Sequence, residues 1–245
     1  MKVLVSPVSY QEAASILDTG VDILDVKNVN EGSLGAQFPW HIREIVDLAA
    51  RYGIKTSATL GDLPFKPGTA ALAAYGAAVT GVTYIKAGLY GVTTCEEALA
   101  MMDAVRRAVR MVSDTADVVA AGYADWRRFG GLSPDNLVRA AKSAQCDVVM
   151  VDTAIKDGQD LFDNMSFDEL RRFVEQAKDS GMGVALAGSL TWDHSDRLFD
   201  LNPTLIGVRG AVCDGKDRKT AISPEKTQRF VEHFHSRTTA HQPVF

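Results

Sequence analysis

The chain has 245 residues, of which 46% are hydrophobic and 23% are charged, and its formal net charge at pH 7 is -5. This length and composition predict a chain that buries a full hydrophobic core, and the acidic balance argues against nucleic-acid binding. No apolar run reaches the roughly 20 residues that a membrane span needs, and the N-terminus has no signal-peptide pattern. We therefore expect a cytoplasmic protein without a membrane partner.

The metal-ligating residue types show no binding pattern. The three cysteines, Cys95, Cys146 and Cys213, are widely spaced and form no CxxC pair. This spacing favours neither a disulfide framework nor a zinc knuckle, and an odd number of free thiols fits a reducing cytosol. No pair among the five histidines has convincing metal-ligand spacing. We therefore expect no metal site.

Short β-branched runs alternate with longer amphipathic segments along the whole chain. The predicted strands are 2–6, 22–27, 54–60, 82–87, 116–122, 147–152, 183–188 and 204–208. The predicted helices are 9–18, 39–52, 67–78, 94–112, 133–144, 166–180, 191–199 and 223–235. Serines that precede proline, or that precede glutamate by three residues, indicate helix starts at Ser133, Ser166 and Ser223, while Gly53 and Gly181 indicate helix ends.

This alternation predicts an α/β protein with a single (β/α)8 TIM barrel, since eight strand–helix units of about 30 residues match the typical length of that fold. A doubly wound open sheet is the alternative. No Gly-rich linker or change of composition divides the chain. We expect one catalytic domain over residues 1–236 and a C-terminal tail, residues 237–245, in which no motif is found.

Three predicted even-numbered strands end at or near a lysine: Lys27, Lys86 and Lys156. In a (β/α)8 barrel, chemistry lies at the carboxyl ends of the strands, and alternate strands contribute to the same interior layer. The three amines are therefore predicted to converge on one pocket. A lysine held in a partly dry pocket beside other cations loses part of its preference for the charged form, and its free amine can attack a carbonyl to form a Schiff base.

Carboxylates accompany these lysines. Asp25 lies two residues before Lys27 and therefore points to the same face of its strand. Asp152 ends the predicted sixth strand and is a candidate proton carrier or orienting group for a lysine. Asp157 is expected to cap the turn before a glycine, and Asp125 is a candidate either for a direct role or for loop structure.

The predicted loops after strands 7 and 8 are candidates for a phosphate site. Glycines at Gly188 and Gly210 let backbone amides approach a ligand, and barrel enzymes often bind phosphate with these two loops. Ser189 follows the first glycine, and Arg209 adds a planar cation that suits phosphate oxygens. We expect a small-molecule phosphorylated substrate there. The charged segment 214–219 is interpreted as a solvated loop, with Lys219 within reach of the rim.

Longer motifs resemble one enzyme family over nearly the whole chain. They are Val5-Ser6-Pro7, Asp25-Val26-Lys27-Asn28, Glu31-Gly32-Ser33-Leu34-Gly35-Ala36, Phe38-Pro39-Trp40, Tyr84-Ile85-Lys86-Ala87-Gly88-Leu89, Asp152-Thr153-Ala154-Ile155-Lys156-Asp157-Gly158, Leu161-Phe162-Asp163, Ala187-Gly188-Ser189-Leu190 and Gly207-Val208-Arg209-Gly210-Ala211-Val212-Cys213. Together they are similar to (5-formylfuran-3-yl)methyl phosphate synthase.

The resemblance implies a lyase that makes the furan precursor of methanofuran and methylofuran from glyceraldehyde 3-phosphate, on a barrel fold without a metal or other cofactor. It implies Lys27 as the Schiff-base lysine. It also implies functional positions at Asp25, Lys86, Asp152 and Lys156, and none of these departs from the family pattern.

Two other functions remain open at this point. A class I aldolase that acts on a triose phosphate would share the barrel, the lysine and the phosphate loops. A non-catalytic phosphate-binding barrel would share the fold and the phosphate loops but would have no Schiff-base lysine. The sequence gives no signal for the oligomeric state and leaves a homo-oligomer open.

Overall fold

A computed structural model describes residues 1–240 of the chain. Eight parallel strands follow one another around a closed barrel in sequence order, and β8 pairs with β1 to close it. The strands are β1 Lys2–Val5, β2 Ile23–Val26, β3 Lys55–Pro64, β4 Tyr84–Gly91, β5 Asp117–Tyr123, β6 Val148–Asp152, β7 Gly183–Leu186 and β8 Leu205–Val208. The predicted (β/α)8 barrel is confirmed and the open sheet was wrong, because closure leaves no unpaired edge strand.

The helices surround the barrel. They are α1 Tyr10–Ser15, α2 Pro39–Ala50, α3 Pro67–Val79, α4 Cys95–Arg110, α5 Pro134–Ser143, α6 Leu161–Asn164, α7 Phe167–Asp179, α8 Ser195–Leu201 and α9 Pro224–Ala240. Most bury one apolar face; in α7 this face includes Leu170, Phe173 and Ala177. Over the residues that the structure describes, no helix has the length and apolar character to cross a membrane.

The predicted helix signals act as expected. Ser133 accepts a backbone hydrogen bond in the first turn of α5, and Ser166 forms a reciprocal capping box with Glu169 at the start of α7. These contacts satisfy amides that have no partner inside the helix. After α2 and α7, Gly53 and Gly181 adopt positive φ angles of 68° and 77°. Glycine takes this left-handed conformation without steric cost, so both helices end there.

Two strands are longer than the sequence predicts. β3 continues to Pro64 and β4 to Gly91, and the extensions pair with each other above the barrel, where Asp62 aligns with Gly88. Glycine, aspartate and proline have low strand propensity, so residues 61–64 are typical of a turn in isolation. Pairing with the neighbouring strand overrides this preference. Lys86 is therefore the third residue of an eight-residue strand and does not end it.

Three helical segments also differ from their predicted bounds. α6 is a single turn in a predicted loop, too short for a periodic signal, and Asp160 caps it. The predicted helix 9–18 is interrupted at Ile16 and continues as a 3-10 turn, Leu17–Thr19. α9 continues past its predicted end to Ala240. Of the predicted tail 237–245, residues 241–245 lie outside the described residues.

Two apolar layers hold the fold together. The larger layer fills the space between the strands and the helices. The smaller fills the barrel interior and consists of side chains that alternate along the strands, among them Leu4, Ile23, Tyr84, Val119, Val148, Met150, Ala185 and Leu205. Because side chains alternate across a strand, the residues that follow these toward the carboxyl ends also point inward. This alternation places Asp25, Lys86 and Asp152 inside the barrel mouth.

The outer layer predicts where the fold is most sensitive to truncation. Phe230 of α9 is fully buried and its ring packs against Phe234, with the centroids 4.8 Å apart. We expect Phe230→Ala to lower the free energy of unfolding by about 3–5 kcal/mol, as large-to-small changes in cores do. Phe65→Ala makes the same change at a side chain that is 41% exposed, and we expect it to cost clearly less. Urea unfolding followed by circular dichroism measures both. Equal losses would contradict the packing described here.

Candidate active site

A cavity of about 460 Å³ opens at the carboxyl ends of the strands. Its walls come from one side of the barrel, that is from β1, β2, β6, β7, β8 and the loops that follow them. Of the nine predicted site residues, eight line this cavity: Asp25, Lys27, Asp152, Lys156, Gly188, Ser189, Arg209 and Gly210. The tertiary structure therefore brings the predicted amines, carboxylates and glycine loops to one place. The ninth, Lys86, lies deeper in the barrel.

Lys27 lies one residue beyond the end of β2, and only 9% of its surface is exposed. Burial lowers the pKa of its amine to about 8, and the positive charges of Lys86 and Lys156 act in the same direction. The carboxylates of Asp152 and Asp25 oppose this shift. A substantial fraction of Lys27 is therefore the neutral amine near neutral to mildly alkaline pH, which is the nucleophilic form.

Asp25 and Lys86 form an ion pair inside the barrel. Lys86 Nζ lies 2.8 Å from Asp25 Oδ1, and both side chains are almost completely buried. Asp25 Oδ2 accepts a hydrogen bond of 3.0 Å from Ser6 Oγ, and the Ser57 side chain also hydrogen-bonds this carboxylate. Burial raises the pKa of Asp25, but the charges of Lys86 and Lys27 outweigh it and the net pKa is lowered. Asp25 is therefore an ionised carboxylate that pairs with the buried Lys86 and also lines the cavity.

A second pair forms the opposite wall. Lys156 Nζ lies 2.9 Å from Asp152 Oδ1 and also 2.9 Å from Thr153 Oγ1. Burial raises the pKa of Asp152, but Lys156 and Lys27 more than offset this effect and lower it to about 2. Asp152 is therefore ionised throughout the physiological range. Lys156 is not at the end of β6 itself; it lies four residues further, and its side chain folds back to the strand end.

The other half of the barrel mouth is closed by residues that the sequence analysis did not place in the site. The β2–α2 loop crosses this half, and its Leu34 is fully buried in the barrel interior beside Tyr123. Asp62, on the extension of β3, accepts hydrogen bonds from the Tyr123 hydroxyl and from the Leu34 amide. Across the mouth, Ser33 Oγ donates to the Thr153 carbonyl at 2.8 Å. This loop therefore confines the cavity to the side that carries Lys27.

The glycine loop after β7 contains two residues in left-handed backbone conformations. Gly188 has a φ of 113°, and a Cβ atom at this position would lie 3.0 Å from Thr153 Cγ2. Only glycine fits there without strain. Ser189 also has a positive φ, 51°, which is uncommon for a residue with a side chain. Strained backbone of this kind often occurs where main-chain groups are turned toward a ligand.

Arg209 lines the cavity, but its guanidinium is already occupied. It makes five hydrogen bonds, to both carboxylate oxygens of Glu12 and to the carbonyl oxygens of Ser6, Arg218 and Thr220. Arginine has five N–H donors, so none is left for a ligand. Arg218, which the sequence assigned to a solvated loop, lines the same cavity. No periodic signal marks it, since it lies in an irregular segment.

Two further carboxylates have structural roles. Asp125 accepts hydrogen bonds of 2.8 Å from the amides of Ala154 and Ile155, and so holds the loop after β6. Asp157 accepts from the Gln159 amide in a turn, as expected, and pairs with Arg128. Within residues 1–240, no group of three or more potential metal-ligating side chains comes together.

Fold and site together define a (β/α)8-barrel protein with a lysine–carboxylate centre at the carboxyl ends of its strands. Solved structures share this fold. KGPDC from Streptococcus mutans superposes with a TM-score of 0.65 at 14% identity and covers 96% of this chain and 97% of its own. Deoxyribose phosphate aldolase from Aeropyrum pernix gives a TM-score of 0.60 at 18% identity, over 86% of this chain and 85% of its own.

The sequence comparisons are more specific. The family model described as 4-HFC-P synthase matches residues 3–231. The (5-formylfuran-3-yl)methyl phosphate synthase of Archaeoglobus fulgidus is 54% identical over 96% of this chain and 100% of its own length. That of Methanopyrus kandleri is 51% identical over 94% of this chain and 98% of its own. The chain therefore belongs to the (5-formylfuran-3-yl)methyl phosphate synthase family of enzymes, and the resemblance stated from its motifs is confirmed.

The electrostatics of the site predict how Lys27 titrates. Its reactivity toward acetic anhydride should rise with pH with a midpoint at about 8, whereas free Nα-acetyl-lysine in the same solution should have its midpoint at about 10.4. Peptide mass spectrometry measures the extent of acetylation at Lys27. A Lys27 profile that follows the free amino acid would contradict the described burial.

Two variants test the sign of the coupling. Asp152→Asn removes a charge that raises the Lys27 pKa, so the midpoint should move to lower pH. Lys156→Gln removes a charge that lowers it and frees Asp152 from its partner, so the midpoint should move to higher pH. Shifts in the same direction for both variants, or no shift in either, would contradict the described effect of these two charges on Lys27.

Proposed function

We propose that this protein converts two molecules of glyceraldehyde 3-phosphate into (5-formylfuran-3-yl)methyl phosphate through a Schiff base on Lys27. The single observation that carries the proposal is the Lys27 amine, whose pKa is about 8, in a cavity where it faces two carboxylates. Membership of the synthase family supports the choice of product. By the same reasoning the enzyme is a carbon–oxygen lyase that supplies the furan of methanofuran or methylofuran.

The overall conversion balances without an oxidant. Two triose phosphates contain the atoms of one formylfuran methyl phosphate, one phosphoric acid and two waters. The required steps are enolisation, phosphate elimination, carbon–carbon bond formation, ring closure and dehydration. An iminium at the carbonyl carbon assists the steps that develop negative charge beside it, and nearby proton carriers assist the rest.

The contacts of each group support a division of roles. Lys27 forms the iminium, because it is the cavity lysine that makes no ion pair within hydrogen-bond distance in the described part of the chain. Asp25 and Lys156 line the cavity and move protons. Lys86 lowers the pKa of Asp25 from inside the barrel. Asp152 stays ionised and orients Lys156. The protonation states of these groups are coupled, so pH profiles report on the cluster as a whole.

The cavity also suits a phosphorylated substrate. Lys27 and Lys156 supply positive charge, and the loops at Gly188 and Gly210 line the wall between them, after β7 and β8. A substrate phosphate held against these loops places the carbonyl carbon toward Lys27. The loop over the other half of the barrel mouth reduces the exposure of the cavity to water, which strengthens electrostatic contacts with the substrate.

The direct test is incubation of the purified protein with glyceraldehyde 3-phosphate alone. The proposal predicts one inorganic phosphate released per furan formed, with the furan detected by its near-ultraviolet absorbance and by mass spectrometry. An aldol product without that absorbance would instead identify a class I aldolase. Absence of any turnover, with substrate binding retained, would identify a phosphate-binding barrel without catalytic activity.

The first substitution concerns Lys27. Substrate plus borohydride should leave a reduced adduct on Lys27, because it is the lysine with the lowered pKa at the cavity wall. Lys27→Arg should be inactive and should form no adduct, since a guanidinium keeps the charge but cannot form an iminium. Peptide mass mapping locates the adduct. An adduct on Lys86 or Lys156 would overturn the assignment.

The second substitution separates the catalytic role of Asp25 from its structural role. Asp25→Asn removes a proton carrier and should lower turnover by about 10²-fold or more. It also leaves Lys86 as a buried charge without its partner, which should lower the free energy of unfolding by about 3–5 kcal/mol.

The double variant Asp25→Asn/Lys86→Met is the control for this stability loss. It removes both buried charges, so most of the stability should return while activity stays low. Urea unfolding and steady-state rates measured on the same samples distinguish the two roles. Recovery of activity together with stability would show that Asp25 acts only as a structural partner.

A further inference from the structure

The cavity contains an arginine whose side chain is largely free. Arg218 lies in the segment 214–220 after β8, which we call the β8 strap, and its side chain lines the cavity that contains Lys27. Its only hydrogen bond to the described residues runs from Nη2 to the Gly32 carbonyl, at 3.4 Å. It forms no ion pair with a carboxylate in the described part of the chain. Most of its donors are therefore available to a ligand.

Arg209, the other arginine of the cavity wall, holds the segment that carries Arg218. Arg209 donates to the carbonyl oxygens of Arg218 and Thr220, at 2.6 and 3.1 Å, and its remaining donors bind Glu12 and Ser6. The buried guanidinium thus fastens the strap to the barrel. Arg209 positions the main chain on which Arg218 is carried.

The surroundings of Arg218 favour an anion. Burial lowers the pKa of its guanidinium, although the negative charges of Asp152 and Asp62 oppose this effect. A half-buried guanidinium that no described carboxylate pairs can donate charge-assisted hydrogen bonds to an anionic ligand. Two other carboxylates of the wall have contacts of their own: Asp160 accepts from amides of α6, and Asp217 Oδ1 accepts from the Lys219 amide.

We propose that Arg218, and not Arg209, is the guanidinium that binds the substrate phosphate, and that Arg209 is the positioning residue that fixes the strap. This inference rests on the proposed function only in taking the substrate to be a phosphate ester. A planar guanidinium can donate two parallel hydrogen bonds to phosphate oxygens, and the loop at Gly188, after the neighbouring strand β7, lines the same cavity.

The contact with Gly32 extends the role of Arg218. Gly32 belongs to the β2–α2 loop, which closes the other half of the barrel mouth, so Arg218 connects the two sides of the entrance. A bound phosphate would compete with the long hydrogen bond to Gly32 for the same donor. Phosphate binding at Arg218 therefore exchanges a weak contact between the loops for stronger, charge-assisted contacts with the substrate.

The test uses a probe that cannot react. sn-Glycerol 3-phosphate has the phosphate and chain length of the substrate but no carbonyl group, so it forms no Schiff base. Isothermal titration calorimetry should show a dissociation constant that is about 10- to 100-fold weaker for Arg218→Gln than for the unmodified protein, as expected for loss of charged hydrogen bonds. Arg218→Lys keeps the charge but loses the paired geometry, and should fall between the two.

Lys219→Gln is the matched control. It removes the same charge at the next residue, whose side chain lines a neighbouring groove and not this cavity. We expect its dissociation constant to stay within about twofold of the unmodified protein, since exposed charges contribute little. Equal weakening by both variants would show a general effect of net charge and would overturn the proposal. Unchanged binding in Arg218→Gln, with an unaltered melting temperature, would overturn it as well.

The outcome is separable from the test of the proposed function. If glyceraldehyde 3-phosphate yields no furan but Arg218→Gln still weakens glycerol 3-phosphate binding, the catalytic proposal fails and the phosphate assignment stands. If furan forms but the probe binds both proteins equally, the phosphate assignment fails alone.

Discussion

The ion pair between Asp25 and Lys86 is the interaction on which the rest of the site depends. It places a cation inside the barrel, where the neighbouring interior side chains are apolar, and it keeps Asp25 ionised at the floor of the cavity. Such a pair is a poor source of stability, because the cost of removing two charges from water offsets much of their attraction. Its two charges act in opposite directions on Lys27, the amine that lines the cavity beside it: Asp25 raises the pKa of this amine and Lys86 lowers it.

The charges around Lys27 explain its proposed chemistry. Three lysines share two carboxylates, so the cluster carries an excess positive charge when every group is ionised. This excess, together with burial, makes the neutral form of Lys27 accessible while the other charges remain paired. It also suits an anionic substrate. In the proposed reaction the same imbalance would serve both nucleophile activation and substrate attraction, and the closed half of the barrel mouth limits the screening by water.

The sequence predicts the barrel and most of the site because both follow from local rules. Strand–helix alternation predicts the architecture, and the period of two along a strand places Asp25 and Lys27 on one face. Two predictions, that Arg209 is available to a phosphate and that a strand ends at Lys86, could not be made correctly from local sequence, because each depends on contacts between residues that are distant in the chain. Glu12 occupies the Arg209 guanidinium from almost 200 residues away, and β3 extends β4 past Lys86 by pairing with it.

The sequence by itself determined the fold class, the lysines and carboxylates of the centre and the loops that face them, since each has a local pattern or a family motif. Only the tertiary structure decided which groups are free. The sequence favours Arg209 as the phosphate ligand and places Arg218 in a solvated loop. In the structure, all five donors of Arg209 are satisfied inside the protein, whereas Arg218 makes a single long contact with the described residues. Hydrogen-bond satisfaction depends on the three-dimensional neighbours of a side chain, and no linear pattern encodes them.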